Sequence, residues 1–574
     1  MKTAIASILV LASAVLAGRP LLHKPGFSLH TGRSIGNPVT GNSPQLGKRQ
    51  DVTMKSLTGN NSNPGVAYFE QPIDHNNPSL GTFKMKYLWS TEAWKGPGSP
   101  IILFPSGEYD ADNWKFVWNR YNETLMYQNV AQLAVEIGAA FLILESRYYG
   151  ESSPFEELNT ANLQYLTHDQ MIYDWVNFAA NVKLPFSHNS TASNVPWVLA
   201  GSSLNANLAT YIAHKLPGTF WTYYASSAVL QTQNEFWKAH LAFQTYGPKN
   251  CTKDVAAVIG HIDQVFSRGI NQEKVAIKTI FGLQNLTNDA DFLNALGGDP
   301  GSWAAQKMNY RTPSWNQDLN DTYKWCDVVE GAFDPITKKY TKATLPGAEG
   351  VGMQKALNNW GSWWKDYRLP SYCLKDYGKF YPGLYQENST YCLESFDPND
   401  PFYTDKSVGN PWGRQYWWQQ CNEPIAFTWA GAPKGVPTLS SHLITFDQFL
   451  ATCNKLFPPG PKGEKVGRRT QDEYNTYYGG WSIRDTKRLL HVNGEKDYFL
   501  PGTVAAPQRP GGPLQSTPEV PTWVIPGGLH ASDFSYWDDG EFNDDVLRIA
   551  GEVRAQLKTW VSEWPGYHGK IPSI

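Results

Sequence analysis

The stretch Trp197-Val198-Leu199-Ala200-Gly201-Ser202-Ser203-Leu204-Asn205-Ala206-Asn207-Leu208-Ala209 decides how this 574-residue chain folds. Its first four residues form an apolar run of the kind that a strand buried on both faces requires. From Asn205 to Lys215 the pattern turns helical, and Pro217 stops it. Strand, sharp turn and helix, with a serine at the turn, lift one hydroxyl above the edge of a sheet. The helix N-terminus behind it favours developing negative charge. Centred on Ser203 the turn reads Gly-x-Ser-x-Asn. Centred on Ser202 it reads Ala-x-Ser-x-Leu, which crowds both flanking positions. Ser203 is the candidate nucleophile; the plain alternative is a serine that only caps a helix.

Working outward, short apolar runs bounded by turn residues recur at Ser99–Pro105, Ala139–Glu145, Phe220–Ala225, Arg488–Asn493 and Thr522–Pro526. Helical patterns such as Asp169–Asn181 lie between them. Strand alternating with helix predicts a mostly parallel sheet covered on both faces. All six cysteines (Cys251, Cys326, Cys373, Cys392, Cys421 and Cys453) fall in the one long stretch where the strand runs are missing. The expectation is an α/β core over 50–230 and 483–574, interrupted by a large, mainly helical cap insertion over 231–482 that carries the disulfides. Six cysteines allow about 15 pairings; Cys373–Cys392 is favoured because it closes a short loop. No CxxC or His-x-His pattern suggests a metal, and no cofactor is expected.

A serine hydroxyl needs a base, and the base needs an orienting acid. On the α/β-hydrolase fold the chain order is serine, acid, histidine. Asp497 follows the fifth run, in Asn493-Gly494-Glu495-Lys496-Asp497-Tyr498. His530 follows the sixth, in Pro526-Gly527-Gly528-Leu529-His530. Both belong at the carboxyl edge of the sheet, beside the serine turn. The backbone N–H of Leu204 is one expected oxyanion donor. Gly107, in the loop Ser106-Gly107-Glu108-Tyr109, offers a second.

These segments, with Phe69-Glu70-Gln71-Pro72-Ile73-Asp74-His75, Arg147-Tyr148-Tyr149-Gly150-Glu151-Ser152, Ala225-Ser226-Ser227-Ala228 and Gln420-Cys421-Asn422-Glu423, resemble the prolyl carboxypeptidase and dipeptidyl-peptidase II family of serine peptidases, its secreted fungal members above all. The resemblance runs from about Tyr68 to His530. It implies an α/β-hydrolase with a helical cap, cleaving peptides after proline, with Ser203, Asp497 and His530 as nucleophile, acid and base. It places Phe499 and Tyr149 at the substrate pocket. Arg147 reads as a brace beneath the site. Two stretches depart from the family pattern. The family elbow reads Gly-x-Ser-Tyr-small-Gly, and here Leu204 and Asn205 follow the serine. Phe499 stands where a tryptophan is usual, which keeps an aromatic wall for a flat pyrrolidine ring.

The N-terminus reads as an export signal over 1–17, with Val15-Leu16-Ala17 as its cleavage motif. A possible pro-segment follows over 18–49, ending in Lys48-Arg49. Residues 1–50 hold six Lys or Arg and no Asp or Glu; the rest carries 43 cationic against 52 anionic side chains, a balance of −9. Seven sequons, at Asn60, Asn122, Asn189, Asn250, Asn285, Asn320 and Asn388, agree with a glycosylated, secreted chain. Hydrophobic residues at 41% and charged residues at 18% exclude a disordered or fibrous chain. The absence of a dense basic run argues against nucleic acid. No apolar run after the N-terminus reaches the length of a membrane span. Peptides are the expected partners. The other function classes are an impaired relative acting as a secreted binding protein, and an esterase on the same fold. Trp360, Trp363, Trp364, Trp417 and Trp418 read as core and cap packing rather than a sugar-binding platform.

Overall fold

Residues Ile101–Pro105 (β3) and Ala140–Leu144 (β4) have no polar face to turn to water, and both are wholly buried as parallel neighbours. The computed structural model describes residues 65–112, 129–305, 321–342, 344–395, 397–423, 430–534 and 539–566. The expected signal, pro-segment and dibasic pair lie outside them.

Eight strands form one sheet in the order β1-β2-β4-β3-β5-β6-β9-β10. Here β1 is Gly65–Pro72, β2 Thr82–Ser90, β5 Trp197–Ser202, β6 Thr222–Ser226, β9 Leu489–Gly494 and β10 Thr522–Ile525. From β4 to β10 all pairs are parallel; β1 and β2 form an antiparallel hairpin added at one edge. Side chains alternate between two apolar layers. Leu103 and Leu199 face the helices His168–Asn181 and Leu204–Lys215. Ile102, Phe104, Val198 and Ala200 face Asn129–Ile137 and Asp544–Ser562. This is an α/β-hydrolase sheet.

The chain leaves the sheet after β6 and returns at β9. Between them it builds mainly helices, with one two-stranded ribbon, β7 (Phe333–Asp334) and β8 (Lys339–Tyr340). The three disulfides, Cys251–Cys326, Cys373–Cys392 and Cys421–Cys453, all lie in this insertion. The pair favoured for its short loop is among them. The apolar layer on one side of the sheet continues unbroken into the insertion, so the two share a core.

Trp360, Trp363, Trp364, Trp417 and Trp418 are buried, as packing residues should be. Three of them explain the interior of the cap. After the helix Met353–Ser362 the chain widens into a π-helical turn, Trp363–Arg368. The indole N–H groups of Trp360 and Trp364 each donate to Asp299 Oδ2 at 2.7 Å, and that of Trp363 donates to Oδ1 at 3.2 Å. Arg368 completes the set as an ion pair with Oδ1. The carboxylate of Asp299 is fully buried and saturated, as a buried charge must be. Replacing it strands three donors and a guanidinium. Asp299→Ala should therefore cost about 3–5 kcal/mol, read as a lower denaturation midpoint by tryptophan fluorescence. An unchanged midpoint would mean that the donors find water instead.

Candidate active site

Ser203 sits between β5 and the helix Leu204–Lys215 with φ 55° and ψ −125°. A serine in that region is strained, and surrounding bonds must hold it there. Its N–H donates to Ser226 O at 2.9 Å, one step beyond the β5–β6 ladder, in which Ser202 still pairs with Ser226. Ser203 is thus the turn residue and Ser202 the last of the strand. Gly201 is required here, because a Cβ would lie 2.6 Å from the backbone carbon of Asn205.

Asp497 and His530 are brought together by two loops that zip alongside each other. Glu495 N–H donates to Ile525 O at 3.0 Å and Lys496 N–H to Gly528 O at 2.7 Å. The result sets His530 Nδ1 at 3.0 Å from both carboxylate oxygens of Asp497. Asp497 also accepts from Phe499 N–H at 2.8 Å, which fixes its rotamer. Both side chains are buried. With Nδ1 engaged, Nε2 is the open nitrogen, and among the described residues it has no partner. An oriented imidazole with one free, buried nitrogen is poised to take a proton.

The histidine loop is anchored to the end of β6. Ala531 N–H donates to Ser227 Oγ at 3.0 Å. Asp533 accepts from Ser226 Oγ at 2.6 Å and from Tyr224 OH at 2.5 Å. Burial pushes the Asp533 carboxyl up, while the two hydroxyls hold it down. Ser226, Ser227 and Asp533 had no assigned role in the sequence; the signals were that Ser226 and Ser227 lie in a segment that carries the resemblance and that Asp533 is close to His530 in the chain.

Leu204 opens the helix, and Gly107 lies against the serine turn. A Cβ on Gly107 would meet Asn205 Nδ2 at 2.9 Å. Phe499 is buried with its ring 4.9 Å from that of His530, and Phe236 stacks on it at 6.3 Å. Tyr149 is buried and donates to Gln419 Oε1 of the insertion at 3.2 Å. Its phenol is pushed well up by burial and by Glu108 and Tyr416 beside it. Arg147 forms an ion pair: it donates to Asp174 Oδ2 through Nε at 2.6 Å and to Oδ1 through Nη2 at 2.7 Å. The sequons Asn189, Asn285 and Asn388 are exposed. Asn250 is half-buried and donates to Pro346 O. Asn60, Asn122 and Asn320 lie outside the described residues. Among those residues no cluster could hold a metal ion, and no helix is long and apolar enough to cross a membrane.

Glu108 is a member of the site that sequence reasoning passed over. Burial pushes its carboxyl up to about 7, while its own backbone amide and then His530 pull the other way. The unfolded chain gives up this proton near 4.5, whereas the folded chain keeps it to about 7. Its contribution to stability is therefore complete below 4.5 and is lost as pH rises through 7. Glu108→Gln cannot ionise. The thermal midpoint of this variant, relative to the unsubstituted protein, should climb between those pH values and then level off. A pH-independent difference would show that Glu108 ionises normally.

The family model described as Serine carboxypeptidase S28 matches residues 71–334. "Serine protease vicPa" of Bipolaris victoriae is 33% identical over 503 residues, covering 87% of this chain and 89% of its own. "Probable extracellular serine carboxypeptidase" of Arthroderma benhamiae is 24% identical over 526 residues, covering 87% and 67%. "Lysosomal Pro-X carboxypeptidase" of Homo sapiens is 30% identical over 166 residues, covering 28% of this chain and 31% of its own.

Proposed function

The chain belongs to the serine carboxypeptidase S28 family, and from that membership and the geometry above we propose how this serine peptidase works. Ser203 Oγ attacks the scissile carbonyl carbon while His530 Nε2 takes the hydroxyl proton. Asp497 stays ionised and stabilises the imidazolium. The N–H groups of Leu204 and Gly107 hold the carbonyl oxygen as it becomes negative. The C–N bond then breaks, and His530 returns the proton to the leaving amine. Water repeats the sequence in reverse to release the acyl group from Ser203.

The observation that carries this reading is the Asp497–His530 pair with its open Nε2, anchored through β6 to the strained serine. Cleavage after proline is supported by the aromatic pair Phe499 and Phe236 beside His530, which suits a flat, apolar ring, and by the name of the human relative. Tyr149, tied to Gln419 of the insertion, is read as a further wall of the pocket. Secretion is supported by the export-signal reading of 1–17, three disulfides, and a relative named as extracellular.

A defined peptide mixture digested at mildly acidic pH and read by mass spectrometry tests this. Cuts after proline are expected, and their positions separate end-trimming from internal cleavage. Ser203→Ala should lose about 10⁶-fold in kcat while keeping its fold. Undiminished turnover in that variant would overturn the triad, and cuts indifferent to proline would overturn the pocket assignment.

A further inference from the structure

Asn205, two residues after the serine, stands where the elbow calls for a small residue. It is buried at 4% exposure. Its side chain leaves the crowded turn and reaches the end of β3, where the next loop begins and Nδ2 donates to Pro105 O at 2.9 Å. The space it occupies exists because Gly107, at φ +67°, has no side chain; a Cβ there would lie 2.9 Å from Nδ2 and 3.3 Å from Oδ1. The far side of the same loop is held separately. Ser106 N–H donates to Leu144 O at 2.8 Å, Ser106 Oγ donates to Tyr109 O at 2.6 Å, and Ser146 N–H donates to Ser106 Oγ at 3.0 Å. These bonds fix the loop to β4 but not to the serine.

Asn205 Oδ1 is buried and, among the described residues, has no partner. A half-satisfied buried amide costs stability. Broken local rules of this kind concentrate where function requires them. We infer that Asn205 is a positioning residue: it ties Pro105–Gly107 to the serine turn, and so sets the Gly107 N–H at its distance from Ser203. The inference rests on the peptidase reading and on Gly107 as the second oxyanion donor. It assigns the departure from the family elbow a supporting role instead of an impairing one. An oxyanion donor acts through distance, and a displacement of about 1 Å costs on the order of 100-fold in rate. The carbonyl of the resting substrate needs that donor less than the charged intermediate does, so the loss falls on kcat more than on KM.

Two variants in the full chain test it. Asn205→Gly removes the tie, and Asn205→Asp keeps the shape but replaces the Nδ2 donor with an acceptor facing Pro105 O. Both should speed amide hydrogen exchange across residues 105–109 by about tenfold or more. Both should lower kcat by about 10- to 100-fold with KM within about threefold. Should Asn205→Gly fail to fold, the near-isosteric Asn205→Asp carries the same readings. Unchanged exchange in residues 105–109, or kcat in Asn205→Gly equal to or above that of the unsubstituted protein, would overturn the inference. Faster exchange in a protein that never cuts peptide would support the tie while sinking the peptidase reading, so the two failures are told apart.

Discussion

Two consecutive serines at the end of β6 tie together the segments that carry Ser203, Asp497 and His530. Ser226 accepts the N–H of Ser203 on its carbonyl oxygen and donates its hydroxyl to Asp533. Ser227 accepts Ala531 N–H on its hydroxyl and donates its own N–H to Val492 O of β9. The serine turn, the histidine loop and the strand leading to Asp497 therefore all hang from a dipeptide. Asp533 makes this rigid because it is fully buried: losing its bond to Ser226 or Tyr224 would leave a polar group with no water to turn to. The strain at Ser203 is tolerable because the N–H bond to β6 over-determines it.

The segments that carried the family resemblance are far apart in sequence but several meet at one buried ion pair. Arg147 donates to both oxygens of Asp174 and also to the carbonyls of Pro72, Ile73 and Tyr165. His75 Nε2 lies 2.8 Å from Asp174 Oδ1, and Gln71 Nε2 donates to Asp174 O at 2.7 Å. A buried guanidinium is tolerated only when its donors are matched. That requirement links Gln71-Pro72-Ile73, His75 and Arg147 to a helix residue that no motif contained. A signature of scattered short segments is what such a shared constraint looks like in one dimension.

Six strands were legible as short apolar runs that end in turn residues: β3, β4, β6 and β9 are buried along their whole length, β5 nearly so, and even the edge strand β10, with Val524 exposed, keeps the apolar run. The β1–β2 hairpin was not. One of its faces is wet, as in Val66 and Tyr68, so its alternating polar residues hid it among loops. Ser203, Asp497 and His530 could be picked out because chain order and strand-end placement are local properties. Glu108, Asp533 and the tie from Asn205 could not, because each depends on what packs against it from a distant segment. The Glu108 carboxyl, for example, is raised by burial and pulled back down by the charge of His530, more than four hundred residues away.

The two departures in the elbow and after the acid follow the same logic. The rule for a small residue after the nucleophile is a rule about volume, and the chain can satisfy it anywhere along the path of the side chain. Asn205 moves the demand to Gly107, whose missing Cβ makes the room. Phe499 likewise presents a flat aromatic ring beside His530 and has Phe236 stacked on it. In both cases the chemistry-bearing atoms stay where the sheet edge puts them, while the packing around them changes identity. A motif written as single letters registers these as two defects. In three dimensions each is half of a matched pair whose other half lies at Gly107 or Phe236.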